Sequence, residues 1–147
     1  MKYDLIPQER QDYCLCSVVQ AILRRNNVSF SQGDIAKNLT RSKEGFRGDD
    51  ERIKSFLRAN GLEYFFYWQN ETPFNERDTL LEEMNVNEGI IGVNSHVYLL
   101  ESFRYPRLEI INPEDNRIVT KDYFELVRIM DQEDFFAMIK RVKQTRV

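Results

Sequence analysis

The sequence predicts an α+β protein in which helices come first and an antiparallel sheet follows. Apolar residues recur at helical spacing as far as Gly61, and after it short runs rich in aromatic and β-branched residues alternate with turn-forming residues. A block of helices followed by a block of strands is typical of this class. The 147 residues fit one domain, and no segment rich in proline, glycine or serine divides them. We therefore expect a single domain over residues 1–147, helical over about 8–60 and sheet-forming over about 62–147.

Three helices are expected in the first half, over residues 13–25, 31–39 and 49–60. The first has its apolar residues at helical spacing, and Asp12 precedes it as the expected cap. Ser31 followed by Asp34 resembles a capping box at the start of the second helix. The third is expected to end at Gly61, and the polar residues 41–48 before it are typical of a loop.

Four runs in the second half are expected to form strands: LEYFFYW from residue 62, GIIGV from 89, HVYLLES from 96 and RLEIIN from 107. Helices are expected over residues 76–84 and 121–130, with a turn over 112–116. The run FFAMIKRV from residue 135 fits either a closing strand or a last helix, because its periodicity favours neither.

Composition and charge exclude several classes of function. The net charge of -3 and a pI near 5.3 give no general attraction to a phosphate backbone, so no nucleic-acid partner is expected. No apolar run approaches the roughly 18–20 residues of a spanning helix, and the N-terminus lacks a signal-peptide core, so we expect a cytoplasmic protein without a membrane partner. Two cysteines and one histidine supply at most three metal ligands, so no metal or other cofactor is expected.

Cys14 is the candidate nucleophile, because it lies in the first turn of the first expected helix. A helix N-terminus supplies a partial positive charge and unpaired N–H groups that favour the thiolate form of a cysteine. Cys16 lies two residues further on, about 200° around the helix, so one base cannot meet both sulfurs. Taken alone, Cys14 also fits the role of a small apolar core residue.

His96 is the only histidine of the chain and therefore the only candidate imidazole base for that thiol. It opens one expected strand and Asn112 closes the next, so pairing of the two strands as a hairpin brings Asn112 beside the ring. The Asn112 side-chain oxygen then accepts the ring N–H and orients the imidazole. Gln8 is the candidate oxyanion donor, together with the backbone N–H of Cys14. Each residue also has an ordinary alternative role: a structural histidine, a turn asparagine or a surface glutamine.

Taken together, these residues carry a resemblance to a known family. A glutamine five residues before the cysteine of an apolar helix, then H-V-Y-L-L and later N-P, resembles the papain-like cysteine peptidase superfamily, and within it the bacteriocin-processing (double-glycine) peptidase group. The resemblance implies a papain-like fold whose nucleophile helix packs on a C-terminal antiparallel sheet. It implies that Gln8 stabilises the oxyanion, Cys14 attacks, His96 acts as base and acid, and Asn112 orients it. The implied activity is a thiol-dependent hydrolase, a peptidase or amidase that acts on a peptide, amide or thioester through an acyl-enzyme.

The sequence departs from the pattern of that group at three positions in or beside the proposed site. Leu15 stands where the group usually has a small residue, Val97 where an aromatic residue often follows the histidine, and Asn112 where aspartate is commoner. An alternative interpretation is therefore a catalytically silent module that uses the papain-like scaffold to bind a peptide or protein. A further alternative is a thiol acyltransferase, in which an amine instead of water resolves the acyl-enzyme.

Overall fold

The computed structural model describes residues 1–39, 50–72 and 76–142, and these form five helices and a six-stranded sheet. The helices are α1 (Cys14–Arg25), α2 (Gln32–Leu39), α3 (Asp50–Ala59), α4 (Arg77–Val86) and α5 (Tyr123–Ile129). The strands are β1 (Leu62–Trp68), β2 (Glu88–Val93), β3 (His96–Arg104), β4 (Arg107–Asn112), β5 (Arg117–Asp122) and β6 (Phe135–Arg141). The predicted α+β class is confirmed.

The sheet has the strand order β1-β6-β2-β3-β4-β5, and every neighbouring pair is antiparallel. The run FFAMIKRV, for which the sequence left a strand and a helix open, forms the strand β6, which lies between β1 and β2. Its residues 136–139 are all buried, because a strand inside a two-sided sheet is covered on both faces.

The helices lie on both faces of the sheet and form two apolar cores. One core joins α1, α2 and α3 to one face, and its largest fully buried members include Ile22, Leu57 and Leu99. The other joins α4 and α5 to the opposite face around Leu81, Met84 and Phe136. Within the described ranges, no helix is long and apolar enough to cross a membrane.

The ends of the N-terminal helices agree with the sequence except at the first cap. Asp12 is not the cap of α1: Tyr13 holds that position, and its side chain makes no capping bond. Asp12 lies one residue too early, and its carboxylate lies 3.6 Å from the guanidinium of Arg10. The capping bond at α2 is confirmed, since the Ser31 hydroxyl accepts the Asp34 N–H at 3.1 Å.

Gly61 follows the third helix with a φ of +79°, a conformation that glycine adopts without strain, as expected for a helix stop. The predicted loop over residues 41–48 lies outside the described residues.

The helix predicted over residues 121–130 begins too early. Arg117–Asp122 instead form β5, an edge strand paired with β4. Its side chains are exposed or only half-buried, so the strand lacks the clear apolar alternation by which sequence reasoning identifies one. The helix starts at Tyr123, because the Asp122 carboxylate accepts the N–H groups of Phe124 and Glu125 as its cap.

Candidate active site

Cys14 is the first residue of α1, and its backbone N–H has no acceptor within the helix. The first helical hydrogen bond runs from the Ser17 N–H to the Tyr13 carbonyl at 2.9 Å. The N–H groups that precede Ser17 in the helix, including that of Cys14, therefore have no carbonyl acceptor within it. The Cys14 side chain borders a cavity although the residue is only 7% exposed. The thiol therefore lies where the helix dipole favours negative charge.

Cys16 lies in a different environment. It is fully buried in the core between α1 and the sheet, and burial raises the pKa of its thiol to about 12. The neighbouring Cys14 and Asp12 act in the same direction. Cys16 is therefore a protonated thiol at neutral pH, and the two sulfurs face different surroundings as their spacing predicted.

A tight turn leads into His96. β2 and β3 are joined by Asn94 and Ser95, whose φ values of 52° and 63° are both positive, as a two-residue hairpin turn with right-handed twist requires. His96 is the first residue of β3, and its side chain is 20% exposed. Its ring Nε2 lies 2.9 Å from the Oδ1 of Asn112, the last residue of β4. Pairing of β3 with β4 thus brings these two residues together.

Asn112 is held so that only its oxygen can face the ring. Its Oδ1 also accepts the backbone N–H of Glu114 at 3.0 Å, and its carbonyl accepts the N–H of Asn116 at 2.8 Å. A reversed side-chain amide would set an NH2 group against the Glu114 N–H, so the oxygen must face both donors. His96 Nε2 therefore carries the proton in this bond, and Nδ1 is left to face the thiol.

The His96 ring favours its charged form. The pKa of His96 is raised, chiefly by the hydrogen bond with Cys14, while burial of the ring acts in the opposite direction. The bond to Asn112 and the charges of Cys14 and Glu114 raise the pKa further. Glu114 approaches the ring, with its Oε1 lying 3.9 Å from Nδ1. These contacts favour the imidazolium form of the ring.

Gln8 lies beside the site but donates its side-chain protons elsewhere. Its backbone N–H donates to the Pro113 carbonyl at 2.8 Å, which ties its segment to the turn after Asn112. Its Nε2 donates to the carbonyls of Arg10 at 3.2 Å and Gln11 at 2.9 Å. Its Oε1 is buried without a hydrogen-bond partner among the described residues. Both amide protons are thus engaged with the segment that leads into α1.

A cavity of about 250 Å³ opens beside Cys14 and His96. One side is an aromatic wall made of Tyr64, Phe66, Trp68 and Phe135. The Phe66 ring stacks on Phe135 at 4.9 Å and meets Trp68 edge-on at 4.7 Å. The sequence predicts a strand over this aromatic run without separating its two faces, and alternate residues of that strand, β1, border the cavity. Period-two alternation is the signal that separates them.

The carboxylates that border the cavity come from the segment before β6, which sequence reasoning did not connect with the site. They are Asp131, Glu133 and Asp134. Within the described ranges, no group of three or more His, Cys, Asp or Glu side chains is placed to hold a metal ion.

No protein-family model matches the sequence, and no curated protein matches it. The structure is similar to a double glycine motif protease from an AMS/PCAT transporter, solved with a leader peptide, with a TM-score of 0.70, 17% identity and coverage of 96% of this chain and 93% of that one. It is also similar to the peptidase domain of Streptococcus ComA, a bifunctional ABC transporter of a quorum-sensing pathway, at a TM-score of 0.69, 13% identity and coverage of 95% and 98%.

A third structure, the N-terminal peptidase C39-like domain of a toxin secretion ATP-binding protein from Vibrio parahaemolyticus, gives a TM-score of 0.60, 13% identity and coverage of 90% and 98%. All three are peptidase domains or proteases that match almost end to end. The chain therefore has the papain-like α+β fold of these peptidase domains, as the sequence resemblance predicted.

Proposed function

We propose that this protein is a cysteine hydrolase that cleaves a peptide or amide bond through Cys14, His96 and Asn112. The observation that carries the proposal is the chain of contacts from Cys14 through the imidazole to the Asn112 oxygen, 2.9 Å from Nε2. A nucleophile, a base and a group that orients the base, in hydrogen-bonding sequence, are the three parts that thiol acyl transfer requires.

The first half of the reaction forms an acyl-enzyme. The Cys14 thiolate attacks the carbonyl carbon of the substrate, a carbon–sulfur bond forms, and negative charge collects on the carbonyl oxygen. The His96 imidazolium then gives a proton to the leaving amine as the carbon–nitrogen bond breaks. Asn112 keeps the ring in the plane that serves both the sulfur and the amine.

The second half releases the acyl group. His96, now neutral, takes a proton from a water molecule, the resulting hydroxide attacks the thioester, and Cys14 leaves as the thiolate. The carboxylic acid product departs, and His96 is again protonated. An amine in place of water would make the protein an acyltransferase, and we propose hydrolysis because the structural neighbours are named as a protease and peptidase domains.

The oxyanion is stabilised by two donors in this proposal. The Cys14 N–H is available at the helix N-terminus, as described above. Gln8 supplies the second donor by giving up its 3.2 Å bond to the Arg10 carbonyl, the longer of its two side-chain bonds. The 2.9 Å bond to the Gln11 carbonyl meanwhile keeps the amide beside the site.

A peptide is the proposed substrate. One structural neighbour was solved with a leader peptide, and the aromatic wall beside Cys14 suits apolar side chains of an extended segment. We further propose that the protein acts in the cytoplasm, because both cysteines are free and a reducing compartment suits free thiols.

The proposal is tested by profiling three variants with a panel of fluorogenic peptide, amide and thioester substrates. We expect Cys14→Ala and His96→Ala to abolish turnover, because each removes a group that reacts. Cys16→Ser is the matched control and should retain most of the activity, since that sulfur lies in the core away from the cavity. Circular dichroism and thermal melting of each variant confirm that the fold persists. Turnover that survives in Cys14→Ala contradicts the assignment.

A catalytically silent peptide-binding module is the second candidate. Two observations favour it: Leu15 borders the cavity beside the thiol, and the Gln8 amide is turned onto its own backbone. Alkylation with iodoacetamide separates the two functions. Fast, selective modification of Cys14 below the pH at which ordinary thiols react supports the hydrolase. Slow modification of both cysteines, together with peptide binding that Cys14→Ala does not weaken, supports the module.

A further inference from the structure

Asp134 is a buried carboxylate that the proposed reaction does not use. The residue is 2% exposed and lies immediately before β6, beside the cavity. Its Oδ1 accepts the backbone N–H of Asn94 at 2.9 Å, and its Oδ2 accepts the backbone N–H of Asp131 at 2.8 Å. Its own carbonyl accepts the N–H of Gln69 at 2.9 Å. A buried carboxylate is costly unless it is satisfied in this way, so these contacts fix it in place.

The Asn94 bond holds the turn that delivers His96. Asn94 and Ser95 both have positive φ values, 52° and 63°, which residues with a side chain adopt less readily than glycine, so that neighbouring contacts help to hold the turn. His96 follows this turn directly and is the first residue of β3. The position of the imidazole therefore depends on a turn whose first amide is bonded to Asp134, forty residues along the chain.

We infer that Asp134 is a positioning residue for His96: its carboxylate fixes the Asn94–Ser95 turn and so sets the imidazole between the Cys14 sulfur and the Asn112 oxygen. The inference rests on the proposed function and names a further residue on which that site depends. Asp134 acts through the backbone of the turn and not through its charge, since the charges that raise the pKa of His96 belong to Cys14 and Glu114.

Two substitutions separate position from charge. Asp134→Ala removes both acceptors, so the N–H groups of Asn94 and Asp131 lose their partner. Asp134→Asn removes the charge but keeps one side-chain oxygen, so it retains part of the hold on the turn. Asp122→Ala is the matched control, because Asp122 is also a carboxylate that accepts two backbone N–H groups, and it lies at the end of β5 where the strand pairs with Arg107, away from the cavity.

The first readout is the pH dependence of Cys14 alkylation by iodoacetamide, followed by peptide mass spectrometry well below the melting temperature of each variant. We expect Asp134→Ala to move the pH midpoint upward by about one unit, which slows alkylation about tenfold at pH values below both midpoints. Asp134→Asn should give an intermediate shift. Asp122→Ala should lower the melting temperature and leave the midpoint unchanged, because a loss of stability alone does not move the ring. Equal shifts in the two Asp134 variants would mean that charge alone acts.

The second readout is the imidazole of His96 by nuclear magnetic resonance, which is free of overlap because the chain has one histidine. At a pH above the midpoint of the ring, the neutral imidazole of the wild type should carry its proton on Nε2, and Asp134→Ala should show weakened protection of that proton or mixed tautomers. An Asp134→Ala spectrum identical to the wild type overturns the inference. This readout does not need turnover: if the wild-type thiol reacts as an ordinary cysteine, the proposed function fails, whereas the ring position still reports on Asp134.

Discussion

At the scale of single residues, the two ring nitrogens of His96 have separate partners. Nε2 donates to Asn112, whose oxygen is held by the Glu114 N–H, and the Cys14 sulfur is the other partner. Asn112 carries no charge, so it orients the ring through a hydrogen bond without placing a second charge beside it. The charge of the ring is therefore set chiefly by the sulfur.

The titration of His96 tests this division. Contacts that favour the charged ring raise its pKa above the ordinary value of 6.5, so we expect a midpoint above 6.5 by nuclear magnetic resonance. Cys14→Ala removes the largest cause and should lower the midpoint most, because burial then acts against the charge. Asn112→Ala should lower it less, and Glu114→Gln least. A Glu114→Gln shift larger than that of Cys14→Ala would contradict the order of causes.

The site residues that the sequence predicts lie at the first or last position of a helix or strand. A cysteine at a helix start, a histidine at a strand start and an asparagine at the next strand end meet because helix and hairpin geometry bring them together. The direction of the Gln8 amide was not predictable, because carbonyls two and three residues further on are competing acceptors. Asp134 was not predictable either, since its bond to Asn94 joins segments that only the folded sheet brings together.

At the scale of elements, α2 holds the segment that carries Gln8. Gln32 is fully buried in α2, and its Nε2 donates to the carbonyls of Ile6 and Pro7, both at 3.1 Å, and to the Gln20 side chain at 3.0 Å. Its Oε1 accepts the Glu9 N–H at 2.8 Å. One glutamine thus holds the chain on both sides of Gln8 and links it to α1.

Replacement of Gln32 should therefore cost stability. We expect Gln32→Ala to lower the free energy of unfolding by about 2–3 kcal/mol, because it removes the four hydrogen bonds of a fully buried side chain, one of them to the buried side chain of Gln20. Asn38→Ala is the control in the same helix, since it removes one exposed bond to the Asp34 carbonyl and should cost less than about 0.5 kcal/mol. Urea denaturation with an unchanged slope measures both. Equal losses in the two variants would mean that Gln32 holds nothing beyond its own helix.

At the scale of the whole molecule, sequence periodicity predicts most elements but not their arrangement. Four of the six strands lie on runs that the sequence predicts as strands, and β6 lies on the run for which a strand and a helix were both left open. The strand that the sequence does not predict is the edge strand β5. The insertion of β6 between β1 and β2 could not be predicted, because contacts distant in sequence decide strand order and leave no local pattern. Buried residues of β6 indicate only that the strand is central.

Polar contacts also join the first residues of the chain to the sheet. Glu88 of β2 is 4% exposed, and its carboxylate accepts bonds from the Tyr3 hydroxyl and the Arg25 guanidinium. Glu101 of β3 accepts the backbone N–H groups of Lys2 and Tyr3. Burial and the Glu88 carboxylate raise the pKa of Tyr3, so its hydroxyl stays protonated and remains a donor.

Glu88 should therefore contribute far more to stability than an exposed ion pair between the same two parts of the chain. We expect Glu88→Ala to lower the free energy of unfolding by about 2–3 kcal/mol, because it leaves Arg25 and the buried Tyr3 hydroxyl without their acceptor. Hydration of the half-exposed Arg25 guanidinium offsets part of the loss. Asp4→Ala is the control: its ion pair with Arg24 joins the same segment to the same helix, but the Asp4 side chain is 86% exposed, so the loss should stay below about 1 kcal/mol. Urea denaturation of both variants at pH 7 measures the difference. If the two losses are equal, burial of Glu88 does not strengthen the attachment, and the first residues are held by the Glu101 bonds and the apolar contacts of Tyr3 and Leu5.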